Sequence, residues 1–332
     1  MRGWQIEMTG EPVDVMRLGD LPVPVPGEGQ VAIDVGACAL SYPDLLLVRG
    51  AHQEATSTPA TPGVELAGRV SAVGPGVDCL AVGDRVVGLA AMPHGGLAEV
   101  ALSAAGAVHR LPDHVADVTA AAMFTAFQTA WFGLHERARL QPGEWLLVHA
   151  GAGGVGSAAI QLGVAAGARV IATAGSPEKV ALCRLLGAEH VIDYTARPDF
   201  APEVNEITGG HGADVIYDPV GGEVFERSRR CIAWAGRLVV IGFASTEIPA
   251  VKVNHLLVKN YAVLGLYWGP YATRSPELVR RAHAEILELI SAGTVSPLVM
   301  DVHPLEQAAE VLASLGTRTT YGRPVVLPRS ER

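Results

Sequence analysis

The residues of this chain that could do chemistry start with a glycine cluster. Gly151, Gly153 and Gly156, within His149-Ala150-Gly151-Ala152-Gly153-Gly154-Val155-Gly156, satisfy G-x-G-x-x-G. In such a loop the first glycine allows a tight turn off a strand, the second lets a pyrophosphate approach the backbone, and the third lets a helix pack on the strand. Gly151, Gly153, Gly154 and Val155 are therefore expected to cradle phosphate at a helix N-terminus. An apolar run, Leu146-Leu147-Val148, precedes the loop, and a helix-compatible stretch, Ser157 to Ala166, follows it. A second β-branched run, Arg169 to Thr173, arrives at βαβ spacing. The chemistry implied is binding of a dinucleotide cofactor.

The end of that second strand bears on which dinucleotide. A site for NAD places Asp or Glu about 20 residues beyond the glycines, on the ribose hydroxyls. Here the stretch reads Thr173-Ala174-Gly175-Ser176-Pro177-Glu178-Lys179, and no acid closes the strand. Ser176 offers a hydroxyl and Lys179 a point charge, both suited to a 2′-phosphate. The same two residues would also serve as a helix N-cap and a solvated helix charge.

These residues need elements to position them. From about residue 143 onward, short apolar strands alternate with helical stretches: Arg169–Thr173, His190–Asp193, Ala213–Tyr217, Gly236–Ile241 and Ala262–Leu266. This alternation predicts an α/β fold with a Rossmann, doubly wound parallel sheet. Residues 1 to about 120 read differently. Short strands at 30–35, 68–73 and 84–89, separated by turn clusters such as Val73-Gly74-Pro75-Gly76, suggest a barrel-like β domain. A helix is expected from about Asp117 to a break near Gly133, then a second helical piece from Leu134 to Leu140. The tail holds an amphipathic helix, Glu277–Ala292, and a last strand, Pro324–Leu327. One helix and two strands make no core alone, so the tail is expected to fold back on the first domain.

The 332 residues are 49% apolar and 18% charged, with a net charge of −9. Such a balance excludes disorder and argues against nucleic acid or an anionic membrane as main partner. The four cysteines, Cys38, Cys79, Cys183 and Cys231, form no C-x-x-C pair, so reduced thiols in a cytoplasmic protein are expected. No signal-like apolar run opens the chain, and no apolar stretch reaches membrane-spanning length.

The order of motifs resembles the medium-chain dehydrogenase/reductase superfamily, and within it the zinc-free NADPH:quinone oxidoreductase (zeta-crystallin-like) branch. The carriers are Gly63-Val64-Glu65-Leu66-Ala67-Gly68, Val82-Gly83-Asp84-Arg85-Val86, the glycine loop, Tyr217-Asp218-Pro219-Val220-Gly221-Gly222, Ile241-Gly242-Phe243-Ala244 and Gly265-Leu266-Tyr267-Trp268-Gly269. The resemblance implies a GroES-like catalytic domain over 1–122, completed by 270–332, and an NADP-binding Rossmann domain over 123–269. Zinc-dependent members hold the metal with Cys, His and Cys. Here Ser41 stands at the first cysteine and Val64 at the histidine, and no cysteine lies between Cys79 and Cys183. A hydroxyl and a valine cannot hold zinc, so no metal is expected.

The resemblance further implies NADPH as cofactor, with Tyr194 and Arg318 joining Ser176 and Lys179 at the 2′-phosphate. Thr125, Phe243, Tyr267 and Trp268 would lie at the nicotinamide. Ser41, Tyr42, Asp44 and His52 are the candidate catalytic residues. Ser41 takes the place of the usual Asn beside a substrate oxygen; Tyr42 and His52 are candidate proton donors; Asp44 is expected to orient a loop through backbone bonds. The implied reaction is hydride transfer to a quinone or another activated conjugated carbonyl, with no metal to polarise it. Reduction of an enoyl thioester is an alternative, and a non-catalytic crystallin-like or RNA-binding role is another. A homodimer formed through the Tyr261–Leu266 edge is also implied.

Overall fold

A computed structural model describes residues 1–52, 57–317 and 319–329; Arg318 lies outside the described residues. The strands run β1 Arg2–Ile6, β2 Met16–Asp20, β3 Gln30–Ala39, β4 Glu65–Val73, β5 Arg85–Leu89, β6 Val100–Ala104 and β7 Val108–Arg110. They continue as β8 Trp145–Val148, β9 Arg169–Ala174, β10 His190–Asp193, β11 Ala213–Asp218, β12 Ile232–Val240, β13 Ala262–Gly265, β14 Val299–Pro304 and β15 Arg323–Leu327. The chain divides into two compact units, 1–125 with 297–332, and 126–296.

The first unit is built on β3. Its inward residues Val31, Ile33, Val35 and Cys38 are buried, and it pairs with β4, β6 and β15, all antiparallel. The seven-stranded sheet runs β14-β15-β3-β4-β5-β7, with β6 also on β3. The tail is stitched in by β15, where Val325 and Val326 pair with Ala39 and Cys38. Trp4 Nε1 also donates to the Leu305 carbonyl at 2.6 Å. The early pair β1–β2 and the short β6 and β7 carry too little alternation to be read from sequence.

The second unit holds a six-stranded sheet in the order β10-β9-β8-β11-β12-β13, all parallel. Strand order reverses between β8 and β11, the switch point of a doubly wound sheet. Every residue of β8 is buried, as a central parallel strand covered on both faces requires. The helix Gly154–Ala165 is apolar nearly all round and is buried from Gly156 to Gly163.

Two expectations are corrected. The return to the first unit comes at residue 297, not 270. The Pro276–Ser291 helix belongs to the second unit: Trp131 Nε1 donates to Glu285 Oε2 at 2.8 Å, and Gln161 exchanges two hydrogen bonds with the backbone of Ser296. Nor does Gly133 break a helix. The Asp117–Trp131 helix runs straight into a wider turn, Phe132–Arg137. A Cβ at 133 would lie 2.9 Å from the Tyr217 ring, so the glycine serves close packing.

Candidate functional site

The second unit positions the glycine loop at the carboxyl end of β8. His149 follows the strand and is buried. Ala150 then takes φ 49°, a left-handed conformation uncommon for a residue with a side chain. Gly151 N–H donates to the Thr173 carbonyl at 2.9 Å, tying the loop to β9. A Cβ on Gly156 would collide with the Ala150 carbonyl oxygen, so only glycine lets the helix start this close to the strand. Around Gly153 the nearest obstacle is the Ala150 oxygen at 3.2 Å, which leaves its other side open to an approaching group. The N–H groups of the first turn, from Gly154 and Val155 on, have no acceptor within the helix. The loop is therefore a cradle in which added Cβ atoms would fill the space, and it fits a pyrophosphate.

His149 is more than a filled core position. Its Nδ1 lies 3.1 Å from Thr173 Oγ1 and its Nε2 2.8 Å from Ser228 Oγ. Ser228 Oγ donates its proton to the Val224 carbonyl at 2.8 Å. Nε2 must then donate to Ser228, leaving Nδ1 to accept from Thr173. Burial pushes the imidazole pKa down to about 3, so the ring is neutral. One side chain thus links the loop, β9 and the Gly222–Cys231 helix.

At the end of β9, Ser176 caps the Pro177–Leu185 helix, its Oγ accepting from Lys179 N–H at 3.3 Å. The N-cap reading therefore holds here, and the hydroxyl's own proton goes to the Glu178 carboxylate, which a phosphate would have to displace. A hydrogen bond of the Glu178 carboxylate within its own residue, and another from Ser176, hold that carboxyl below the usual range. Partial burial lowers the Lys179 ammonium pKa. Tyr194 closes over Gly175, where any Cβ would collide with the phenol oxygen. Ser176 and Tyr194 thus flank the β9 end, with Lys179 in the first turn of the helix that Ser176 caps.

The first unit gathers the other candidates. Ser41 opens the Tyr42–Arg49 helix in a capping box with Asp44. The buried Asp44 carboxylate accepts from Ser41 N–H at 2.8 Å and from Val64 N–H at 2.9 Å; Ser41 Oγ sits 2.5 Å away. Burial raises the Asp44 pKa, and the bonds from Ser41 and Val64 oppose the rise. Tyr42 packs against the hydrophobic core. His52, half-buried, lies just past the left-handed Gly50 that ends the helix. Among the described residues no three His, Cys, Asp or Glu side chains gather as a metal-binding group.

Two buried charged residues escaped the sequence reading as a pair. Glu65 and Arg323 form an ion pair at 2.6 Å, their side chains only 3% and 7% exposed. Glu65 Oε2 also accepts from Thr125 N–H at 2.9 Å, and Arg323 Nε donates to the Leu40 carbonyl at 3.1 Å. The pair therefore fixes Thr125 and the residue before Ser41 together. Its signal was a lone acid in the apolar run Val64-Glu65-Leu66 and a lone arginine opening the last strand. Thr125 Oγ1 is buried with no hydrogen-bond partner among the described residues.

The aromatic candidates belong to the second unit and differ in exposure. Phe243 is half-buried, Tyr267 is 49% exposed and Trp268 is buried. Nearby, Asp218 ends β11 and takes the N–H groups of Val220 and Gly221 on one oxygen at 2.8 and 3.0 Å. Burial raises its pKa.

With this geometry in view, residues 27–113 match the alcohol dehydrogenase GroES-like domain model and residues 154–284 the model described as zinc-binding dehydrogenase. The chain is 38% identical over 302 residues to quinone oxidoreductase-like protein 2 homolog of Nematostella vectensis, covering 90% of this chain and 82% of that protein. It is 35% identical over 303 residues to a mycocerosic acid synthase-like polyketide synthase of Mycobacterium tuberculosis, covering 90% of this chain and 14% of that one. Among solved structures, Escherichia coli quinone oxidoreductase complexed with NADPH superposes with a TM-score of 0.91 at 30% identity, covering 99% of this chain and all of that one.

Proposed function

This chain belongs to the quinone oxidoreductase family of medium-chain dehydrogenases/reductases and is an oxidoreductase; from that premise we propose that it reduces quinones or other activated conjugated carbonyls with NADPH, without zinc. The observation that carries the reading is the cradle at Gly151–Gly156 together with a β9 end that presents Ser176, Lys179 and Tyr194 and no acid from the strand itself. The first-turn N–H groups would hold the pyrophosphate, and Ser176 and Lys179 the 2′-phosphate. NADPH, when bound, supplies the hydride. Thr125, Phe243, Tyr267 and Trp268 are the residues we assign to the nicotinamide. We assign acceptor binding to Ser41, Tyr42 and His52, with Asp44 as their positioning carboxylate.

Zinc independence rests on residue chemistry. Asp44 engages the Ser41 hydroxyl, and Val64 contributes only a backbone N–H. With no Lewis acid at these positions, the acceptor must bring its own electrophilicity. Stoichiometric zinc in purified protein would refute this part.

We also propose a homodimer. The second unit's sheet ends on β13, which carries neither proline nor charge. The preceding Val253–Lys259 helix leaves Val253, Leu257 and Val258 more than 70% exposed. Such an edge and patch are suited to a second copy of the chain.

The polyketide synthase relative supports a second reading, reduction of an enoyl thioester. Fluorescence titration with NADPH and NADH, followed by NADPH oxidation with 1,4-benzoquinone, 9,10-phenanthrenequinone and crotonyl-CoA, separates the readings. Turnover of the quinones with preference for NADPH supports the first. Turnover of crotonyl-CoA alone supports the second. Tight NADPH binding with no turnover would sink both in favour of a non-catalytic role.

A further inference from the structure

The Ser41 hydroxyl has one proton, and the fold commits it. Asp44 is 1% exposed, and each of its carboxylate oxygens takes a backbone N–H, from Ser41 at 2.8 Å and from Val64 at 2.9 Å. Burial raises the Asp44 pKa, but one backbone donor on each oxygen, with Arg323 opposing, favours the ionised carboxylate, a group that only accepts. Ser41 Oγ lies 2.5 Å from the same Oδ2, and against an ionised carboxylate the serine is the donor in that contact. Ser41 itself is half-buried, at the start of its helix. With the Asp44 N–H of the capping box on one lone pair, what its oxygen retains for a ligand is one acceptor lone pair. An acceptor lone pair repels a carbonyl or oxyanion oxygen and attracts an O–H or N–H.

We propose that Ser41 is a specificity-determining hydrogen-bond acceptor that selects conjugated carbonyl substrates bearing a hydroxyl or amide N–H donor beside the reacting alkene or ring. The inference rests on the reading that this chain reduces conjugated carbonyls. It also moves oxyanion stabilisation away from Ser41 to other donors. The Asp44–Val64 bond has a matching consequence: the same carboxylate that turns Ser41 into an acceptor fixes the strand start that carries Glu65.

The test compares two probes that differ by one hydroxyl, trans-2-nonenal and 4-hydroxy-trans-2-nonenal, as dissociation constants on the NADP⁺-saturated protein. The wild type should bind the hydroxylated enal about three- to tenfold more tightly, the effect of one neutral hydrogen bond. Ser41→Ala should abolish the preference. Ser41→Thr, which keeps the hydroxyl and the helix cap, should retain it, and guards against a fold defect in the alanine variant. Asp44→Ala removes the acceptor of the Ser41 proton, frees that proton to donate and should shrink the preference. No preference in the wild type, an unchanged preference in Ser41→Ala, or loss of preference in a folded Ser41→Thr protein would overturn the proposal. Reduction of 1,4-benzoquinone is followed in the same preparation. A protein inactive there but showing the Ser41-dependent preference would overturn the quinone reading and leave the polarity of Ser41 established.

Discussion

At the scale of single residues, charge and hydrogen-bond polarity decide what each site can do. Lys179 stands in the first turn of the helix capped by Ser176 and is the cation we assign to the 2′-phosphate. Lys179→Ala should raise KM for NADPH about tenfold or more and leave KM for NADH nearly unchanged, since only the former carries that phosphate. Steady-state kinetics with both cofactors checks this, and equal effects would discard the assignment. Glu65 and Arg323 are a buried pair in which each charge depends on the other. Glu65→Gln should cost about 3–5 kcal/mol, because it leaves a buried guanidinium uncompensated. The double variant Glu65→Leu with Arg323→Met should cost less than the two single changes summed. Urea unfolding of all the variants measures both statements. The type and spacing of Ser41, Asp44 and Lys179 were legible in the chain. The direction in which the Ser41 proton points was not, because it depends on a carboxylate three residues on being buried, with one backbone N–H on each of its oxygens.

At the scale of elements, His149 couples a loop to two neighbours through a fixed neutral tautomer. Its folded pKa, about 3, lies below the unfolded value near 6.5. Between those values the unfolded chain binds the extra proton, so acid favours unfolding. The stabilisation from keeping this ring neutral is complete above about pH 6.5. It is lost by up to about 1.4 kcal/mol per pH unit as pH falls toward 3. Unfolding free energies of the wild type and His149→Gln across that range should show a steeper acid decline in the wild type. Parallel slopes would contradict the assignment. The glycine loop itself was readable from sequence, since three glycines between a strand and a helix have few other uses. Its histidine partner was not, for Ser228 lies 79 residues away and only the packing of a later helix brings it to the ring.

At the scale of the whole molecule, assembly and organisation matter. If β13 is a dimer edge, Val263→Pro should shift the protein toward monomer in light scattering, because proline removes an N–H that an added strand would use. An unshifted mass would argue for a different interface. What the sequence by itself determined was the family, the two-unit order of β-rich then α/β, the dinucleotide loop and the missing metal-ligand residues at Ser41 and Val64. These are local properties, set by residue type and by periods of 2 and 3.6 that survive without a partner. The tertiary structure alone decided where the chain returns to its first unit. The Pro276–Ser291 helix looks the same from sequence whichever unit it covers; its Glu285 is held by Trp131, 154 residues earlier, and the segment after it by Gln161 on Ser296. It alone showed the Glu65–Arg323 pair, whose members are 258 residues apart. It alone gave Ser41 its polarity. A buried charge and a committed proton are products of burial, and burial exists only once distant segments have packed.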